Sequence, residues 1–243
     1  MQSSTDLGRG MFASKASRSE AASAQIKDLI LTRGLKTGDP LPSESELQEI
    51  LGVSRTSVRE AVRNLSTLGI VEVRHGHGSF VGEMKLDALV ETLVFRGVLS
   101  PGDDLQALRE IVDVRQQMDL AQGERLSAAI AGNTNEDLRE LVQQMSDLAN
   151  EGQLFGEQDR AFHTALLAHT GNSLMVQLVG AFWDVHTAVS PKLGVAQPED
   201  IHKTVHAHSD MLDALEAGDV SAYKAAVIRH YEPLQRVLAE TKS

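Results

Sequence analysis

PLPSESELQEILGVSRTSVREAVRNLSTLGIVEVRHGHGSFV, residues 40–81, holds the pattern from which the fold is read. Ser43 is followed three residues later by Glu46, the spacing of a capping box, so a helix starts there and runs to about Leu51. Gly52 turns the chain, Ser54 caps a further helix, and that helix ends near Leu68-Gly69. Within it Val58, Val62 and Leu65 recur at i, i+4, i+7 and predict a buried face, while Arg55, Arg59 and Arg63 recur at i, i+4, i+8 on another. Val71 and Val73 alternate with polar residues as a strand, His75-Gly76-His77-Gly78 supplies a tight turn, and Ser79 to Val81 returns as a second strand. Upstream, Ala22, Ile26, Leu29 and Ile30 predict a helix from Ser19, stopped by the two Gly and two Pro of GLKTGDPLP. Helix, helix–turn–helix and hairpin in this order predict a winged helix–turn–helix.

The arginine face runs against the usual electrostatics of a helix. A helix N-terminus carries partial positive charge and favours acidic side chains, yet Arg55 and Arg59 stand there with Thr56 and Ser57 between them. A docked anion resolves the conflict. Free N–H groups hold a phosphate, hydroxyls contact a nucleic-acid backbone, and arginine makes bidentate contacts to guanine. Recognition helices present their N-terminal residues to base edges, so Arg55, Thr56 and Ser57 are expected to project away from the core. Arg74, His75 and His77 at the hairpin tip suit a minor groove or the phosphate backbone. A solvated, capped surface helix with stray arginines is the competing reading.

The net charge of -11 over 243 residues argues at first against a polyanionic partner. The charge is uneven, however: residues 1–82 sum to +1 and residues 83–243 to -12, which predicts two domains with different partners. Hydrophobic residues make up 42% and aromatics 4%, so a sizeable core is expected, built from helices rather than a β-sandwich. The absence of cysteine excludes disulfides and thiolate metal sites and fits a reducing cytoplasm. No apolar run approaches the ~20 residues of a membrane span, and no signal-peptide core opens the chain, so no membrane partner is expected. Residues 1–18, rich in small residues and without a period, are expected to be a flexible tail, residues 19–82 the winged domain, and residues 83–243 an all-helical domain. Helices are expected there over 84–96, 103–131, 135–150, 155–170, 173–190, 199–217 and 219–240. Ser100-Pro101-Gly102, Gly132-Asn133, Gly152, Gly171-Asn172, Pro191 to Pro198, and Gly218 separate them. The fold class is therefore mainly α, with an antiparallel bundle of about seven helices behind the winged domain.

Polar residues interrupt the apolar stripes of that bundle. Asp159 and His163 share a helix face with Phe155, Phe162 and Leu166, and His208 and His230 lie on two later helices. A carboxylate and three imidazoles suit a divalent metal such as Zn²⁺ or Ni²⁺, or Mn²⁺ in an open octahedron. Spacing alone does not bring the three helices together. His202 and His206, also four apart, are rival ligands, although they follow a Pro-containing loop and are expected on the solvated side. His169 and His186 read as structural or surface residues.

Pro40–Val81 resembles, over its whole length, the DNA-binding domain of the GntR family of bacterial transcription regulators. The resemblance implies DNA contacts by Arg55, Thr56, Ser57 and Arg59, with His75 and Gly76 in the wing, and binding as a homodimer to a short palindromic operator in double-stranded DNA. Ser45 departs from the family, in which an arginine often contacts DNA at that place. Downstream, DRAFHTALLAHTGNSLM and HSDMLDALEAGDVSAYKAAVIRHY are similar to the FCD effector domain of the FadR-type GntR regulators, and the helix at 84–96 fits the seven-helix form. That similarity implies a divalent metal on Asp159, His163, His208 and His230, and a small carboxylate effector held by Arg115 of EIVDVRQQMD. An i, i+4 ion pair with Asp119 is the plain alternative for that arginine, and helix capping is sufficient reason for Asn172. The resemblance implies a ligand-responsive regulator, commonly a repressor, whose residues 83–243 bind effector and dimerise. The rivals are a metal-dependent hydrolase, for which no general base is placed by motif beside the cluster, and a DNA-binding regulator with a purely structural metal.

Overall fold

The computed structural model describes residues 6–99, 105–190 and 201–240. The chain divides into two units, Met1–Ala88 and Leu89–Ser243.

In the first unit α1 (Asp6–Thr32), α2 (Glu44–Leu51) and α3 (Arg55–Thr67) precede a hairpin of β1 (Val71–Arg74) and β2 (Gly78–Val81). Local chemistry sets the boundaries. The Ser43 hydroxyl accepts from the Glu46 N–H while the Glu46 carboxylate accepts from the Ser43 N–H, completing the capping box. Gly52 ends α2 at φ 66°, ψ 28°, a left-handed C-cap that a side chain with Cβ disfavours. The Ser54 hydroxyl accepts from the Ser57 N–H at the start of α3. Burial follows the sequence periods: Ala22, Ile26, Leu47, Val58, Val62, Leu65, Val71 and Val81 share one core. The strands pair antiparallel from Val71↔Val81 to Arg74↔Gly78, and Pro40 bridges Phe80. This is a winged helix–turn–helix. The beginning differs from expectation: α1 is continuous from Asp6, so from there the expected tail is helical. Extending an existing helix is far less costly than nucleating one, and the packed turns Ala22–Ile30 supply the nucleus.

Among its described residues the second unit is all helical. Its elements are α4 (Asp87–Leu99), α5 (Gln106–Ala121), α6 (Gly123–Ile130), α7 (Glu136–Asn150), α8 (Gly156–Ala168), α9 (Ser173–Val189), α10 (Ile201–Glu216) and α11 (Val220–Glu240). Eight helices stand among the described residues where about seven were expected, because the helix expected over 103–131 breaks at Gln122. The Gln122 N–H turns back to the Asp119 carbonyl, an i→i−3 bond, and Gly123 beyond it packs on α11. A Cβ on Gly123 would stand 3.1 Å from the Tyr223 ring, so the joint is where α6 closes on α11. The main core joins Leu108, Leu126, Met145, Phe162, Leu166, Leu212, Tyr223 and Tyr231. The breaks expected at 100–102 and 191–198, and the helix starts at 103 and 199, lie outside the described residues. No described helix is long and apolar enough to cross a membrane.

Candidate functional site

On the first unit the expected contact residues divide. Arg55, Thr56, Arg59 and Arg63 are exposed along α3, and among the described residues Arg55 and Thr56 make no side-chain hydrogen bond or ion pair. Arg59 Nε stands 3.9 Å from Glu44 Oε1, an exposed pair of little energy. Ser57 does not project as expected. It is 6% exposed, its Oγ lies 2.9 Å from Ser54 Oγ, and its N–H donates to that oxygen. The ~100° step per residue turns it beside buried Val58 and Ala61, so its hydroxyl belongs to the cap.

Between α3 and the hairpin runs a groove of about 600 Å³, lined among others by Thr56, Arg59, Arg63, Val73 and Ser79. Val73 is 54% exposed although Val71 is buried, because the hairpin grows out past the core. Arg74 is held within the wing: Nε and Nη2 donate to the Glu72 carboxylate at 3.0 and 2.9 Å, and the guanidinium lies 4.3 Å over the Phe80 ring. The tip itself is left to His75 and His77, both exposed, with Gly76 at φ 76° between them.

In the second unit, packing joins what spacing could not. Asp159 and His163 of α8, His208 of α10 and His230 of α11 are all buried, with one donor atom each lying within 4.8 Å of the others. His208 Nε2 lies 3.0 Å from Asp159 Oδ1, and His163 Nε2 lies 3.3 Å from the same oxygen and 3.2 Å from His230 Nε2. Donors about 2.0–2.2 Å from a tetrahedral ion stand roughly 3.3–3.6 Å apart, so these three separations come close to those around a divalent metal, and the set of three nitrogens and one oxygen suits one. His202 and His206 are exposed and outside the group, and His169 Nε2 is 2.9 Å from Asn135 Nδ2 at the surface.

The charges of the cluster are interdependent. Burial works against ionised Asp159, but His208, His163 and His230 outweigh it and hold the carboxyl well below its usual range. Burial also opposes a proton on His163, and Asp119 with Asp159 reverses this, raising the imidazole to about 9. His230 moves the other way, pushed well below its usual range by burial and by His208. The site concentrates positive charge at one imidazole held between two carboxylates, an arrangement a cation can take over.

Beside the cluster lies a cavity of about 220 Å³ whose lining includes Asp159, His230, Arg115, Trp183, His186 and Ser190. Arg115 of α5 is 2% exposed, and its guanidinium lies 4.0 Å over Trp183 and 5.6 Å from the Tyr231 ring. Its Nε and Nη1 find no acceptor among the described residues. No ion pair joins it to Asp119 there; Asp119 Oδ2 instead accepts from Tyr231 Oη at 2.8 Å and lies 3.2 Å from His163 Nδ1. His186, read from sequence as structural or surface, faces the cavity, where burial and the nearby Arg115 lower it to about 3. Its Nδ1, Trp183 Nε1 and Ser190 Oγ are also buried without partners among the described residues. A signal for these three existed: Trp183, His186 and Ser190 recur at i, i+3, i+7, the first two in the apolar helix SLMVQLVGAFWDVHTAV and the third at its C-cap. Asn172 caps α9, accepting from the Met175 N–H at 3.1 Å.

Comparison with known proteins gives the same division. Residues 18–81 match the family described as bacterial regulatory proteins, gntR family, and residues 110–233 match the FCD domain. NedR of Micromonospora viridifaciens, named as a transcriptional regulatory protein, is 42% identical over 103 residues, which is 42% of this chain and 74% of that one. The galactonate operon transcriptional repressor of Escherichia coli (strain K12) is 27% identical over 206 residues, covering 84% of this chain and 89% of that one. Among solved structures, Streptococcus agalactiae GntR is similar with a TM-score of 0.61 at 25% identity, covering 90% of this chain and 99% of that one.

Proposed function

Given that the chain belongs to the GntR family with an FCD domain, and is a DNA-binding transcriptional regulator rather than an enzyme, we propose that it is a cytoplasmic, homodimeric repressor released from its operator by a small organic acid. The observation that carries this reading is Arg115: a buried guanidinium with two donor nitrogens unpaired among the described residues, on the same 220 Å³ cavity as Asp159 and His230. A buried charge needs a counter-charge, and a carboxylate offers both that and the missing acceptors. The volume lies below the ~300–1,000 Å³ of cavities that enclose drug-sized ligands, so the acid is small.

Asp159, His163, His208 and His230 hold a divalent metal, Zn²⁺ being favoured by three imidazoles and one carboxylate, with Ni²⁺ or Mn²⁺ as lesser fits. When bound, the metal supplies a Lewis-acidic anchor that makes the cavity net cationic. Arg115 orients the acid, and Trp183, His186 and Ser190 offer further polar groups along the same cavity. On DNA, Arg55, Thr56 and Arg59 read the major groove from the start of α3, and His75 and Gly76 bring the wing to the backbone. Ser57 supports that turn from inside as its cap. The acid releases DNA only insofar as it binds the DNA-incompetent arrangement of the dimer better. A coupling of about 1–3 kcal/mol changes DNA affinity ~5–150-fold. The related galactonate operon repressor, by its name, represses, which supports the sign chosen.

The test selects operator duplexes from a random pool. It then titrates them with the protein against a panel of small carboxylates, with and without a chelator. One acid should weaken DNA binding, and the chelator should abolish that effect. If no acid alters DNA affinity and the chelator alone lowers thermal stability, the metal is structural and the sensor reading fails.

A further inference from the structure

We propose that Asp119, which stands outside the four-donor cluster, is the positioning residue that orients His163 toward a bound divalent metal and sets how tightly the site holds it, with Tyr231 holding Asp119 in turn. The proposal rests on reading Asp159, His163, His208 and His230 as the metal ligands.

A histidine that binds a metal through one ring nitrogen keeps its proton on the other, and the partner of that second nitrogen fixes the tautomer and the ring. The three imidazoles differ there. His208 Nδ1 donates to the Thr204 carbonyl at 2.8 Å, one turn back on α10, leaving Nε2 for the cluster. His230 Nδ1 has no partner among the described residues. His163 faces the cluster through Nε2, and its Nδ1 stands 3.2 Å from Asp119 Oδ2. The ring N–H axis is not aligned on that oxygen, so the contact is a close ion-pair approach rather than a formed hydrogen bond. A metal on Nε2 confines the proton to Nδ1, the side on which the Asp119 carboxylate is ready to accept it.

The surroundings of Asp119 are arranged for that task. The residue is 1% exposed, and a carboxylate buried so deeply is costly without partners. Tyr231 Oη donates to its Oδ2 at 2.8 Å, and Tyr223 Oη donates to its backbone carbonyl at 3.1 Å. Its Oδ1 has no hydrogen-bond partner among the described residues, so acceptor capacity remains. The nearest cation on its own helix, Arg115 one turn earlier, lies over Trp183 instead. His163 is thus the residue whose chemistry accounts for a carboxylate at this place. Among the described residues, His163 is the one imidazole of the three with an outer partner that mutation can remove, since that of His208 is a backbone carbonyl and His230 has none.

The test compares metal-stripped, full-length wild type with Asp119→Asn, Tyr231→Phe and His163→Ala. Zn²⁺ alone is titrated in competition with a chromophoric chelator. Asp119→Asn should weaken Zn²⁺ binding ~10–100-fold, Tyr231→Phe less, and His163→Ala most. In ¹H–¹⁵N spectra of the Zn²⁺-loaded proteins, the His163 Nδ1 proton should move upfield in Asp119→Asn while that of His208 stays. Wild-type Zn²⁺ affinity in Asp119→Asn, with His163→Ala impaired, overturns the proposal and leaves the four-ligand reading standing. No Zn²⁺ binding by wild type overturns both. Should Asp119→Asn fail to fold, Tyr231→Phe decides: unchanged affinity together with an unchanged His163 signal overturns the proposal.

Discussion

Replacing Arg115 with Met should separate binding from stability. Two buried donor nitrogens of the guanidinium lack acceptors among the described residues, and each such group costs about 1–3 kcal/mol, so together they cost about 2–6 kcal/mol. Against this stand the contacts with Trp183 at 4.0 Å and Tyr231 at 5.6 Å, which return about 0.5–2 kcal/mol each. Met fills a similar unbranched volume without charge, so little packing is lost. These ranges leave a balance between a loss of about 2 and a gain of about 5 kcal/mol, centred on a gain of about 1.5 kcal/mol, with roughly 2–4 °C in Tm for each kcal/mol at this size. Sensitivity to acids should be lost at the same time. The assay is thermal unfolding of metal-loaded wild type and Arg115→Met, each with and without the acid that acts in the DNA titration. Wild type should be raised by RT ln(1 + [L]/Kd) and the variant not at all. A variant destabilised by more than about 2 kcal/mol would show that Arg115 is a satisfied strut, and an acid shift that survives would remove it from the site.

Three further outcomes follow from the geometry. Arg55→Ala, altering an exposed arginine at the start of α3, should weaken specific operator binding by about 1–3 kcal/mol in a duplex titration, and an unchanged affinity would take Arg55 off the recognition surface. His208→Ala should lower metal content in the purified protein while far-UV circular dichroism keeps its helical signal, since one of four clustered donors is removed; undiminished metal would sink the assignment. His186 is lowered from 6.5 to about 3 by burial and Arg115, so its stabilising contribution is complete above pH 6.5 and is lost as pH falls toward 3. That amounts to about 1–2 kcal/mol by pH 5 for a partly buried ring. Denaturant unfolding of His186→Gln should lack that part of the acid slope, and identical slopes would refute the assignment.

The DNA-binding half was legible because its signals are local. The Ser43–Glu46 capping box, the Gly52 turn, the Ser54 cap and the Val58–Val62–Leu65 stripe are each settled by residues no more than a few positions apart. Helix phase also marked Arg55 and Arg59 as exposed. It did not turn Ser57 inward, because one rotation step decides between solvent and core at the edge of a buried stripe.

The helical half was legible as helices, and as a list of donors named through family likeness, but not as a site. Its break at Gln122 falls where Gly123 lies close against Tyr223, a contact between α6 and α11 that no local pattern encodes. His208 and Asp159 are 49 residues apart, His163 and His230 67, and Tyr231 and Asp119 112. Sequence by itself determined the apolar stripes that point inward, since periodicity follows from backbone geometry at a range of three or four residues, though not the polar residues at their edges. Only the tertiary structure decided which inward faces meet, and so placed Asp119 against His163 rather than Arg115 and brought His186 to the cavity. Those meetings depend on how whole helices pack, and burial leaves each polar group to find its partner across the core rather than along the chain.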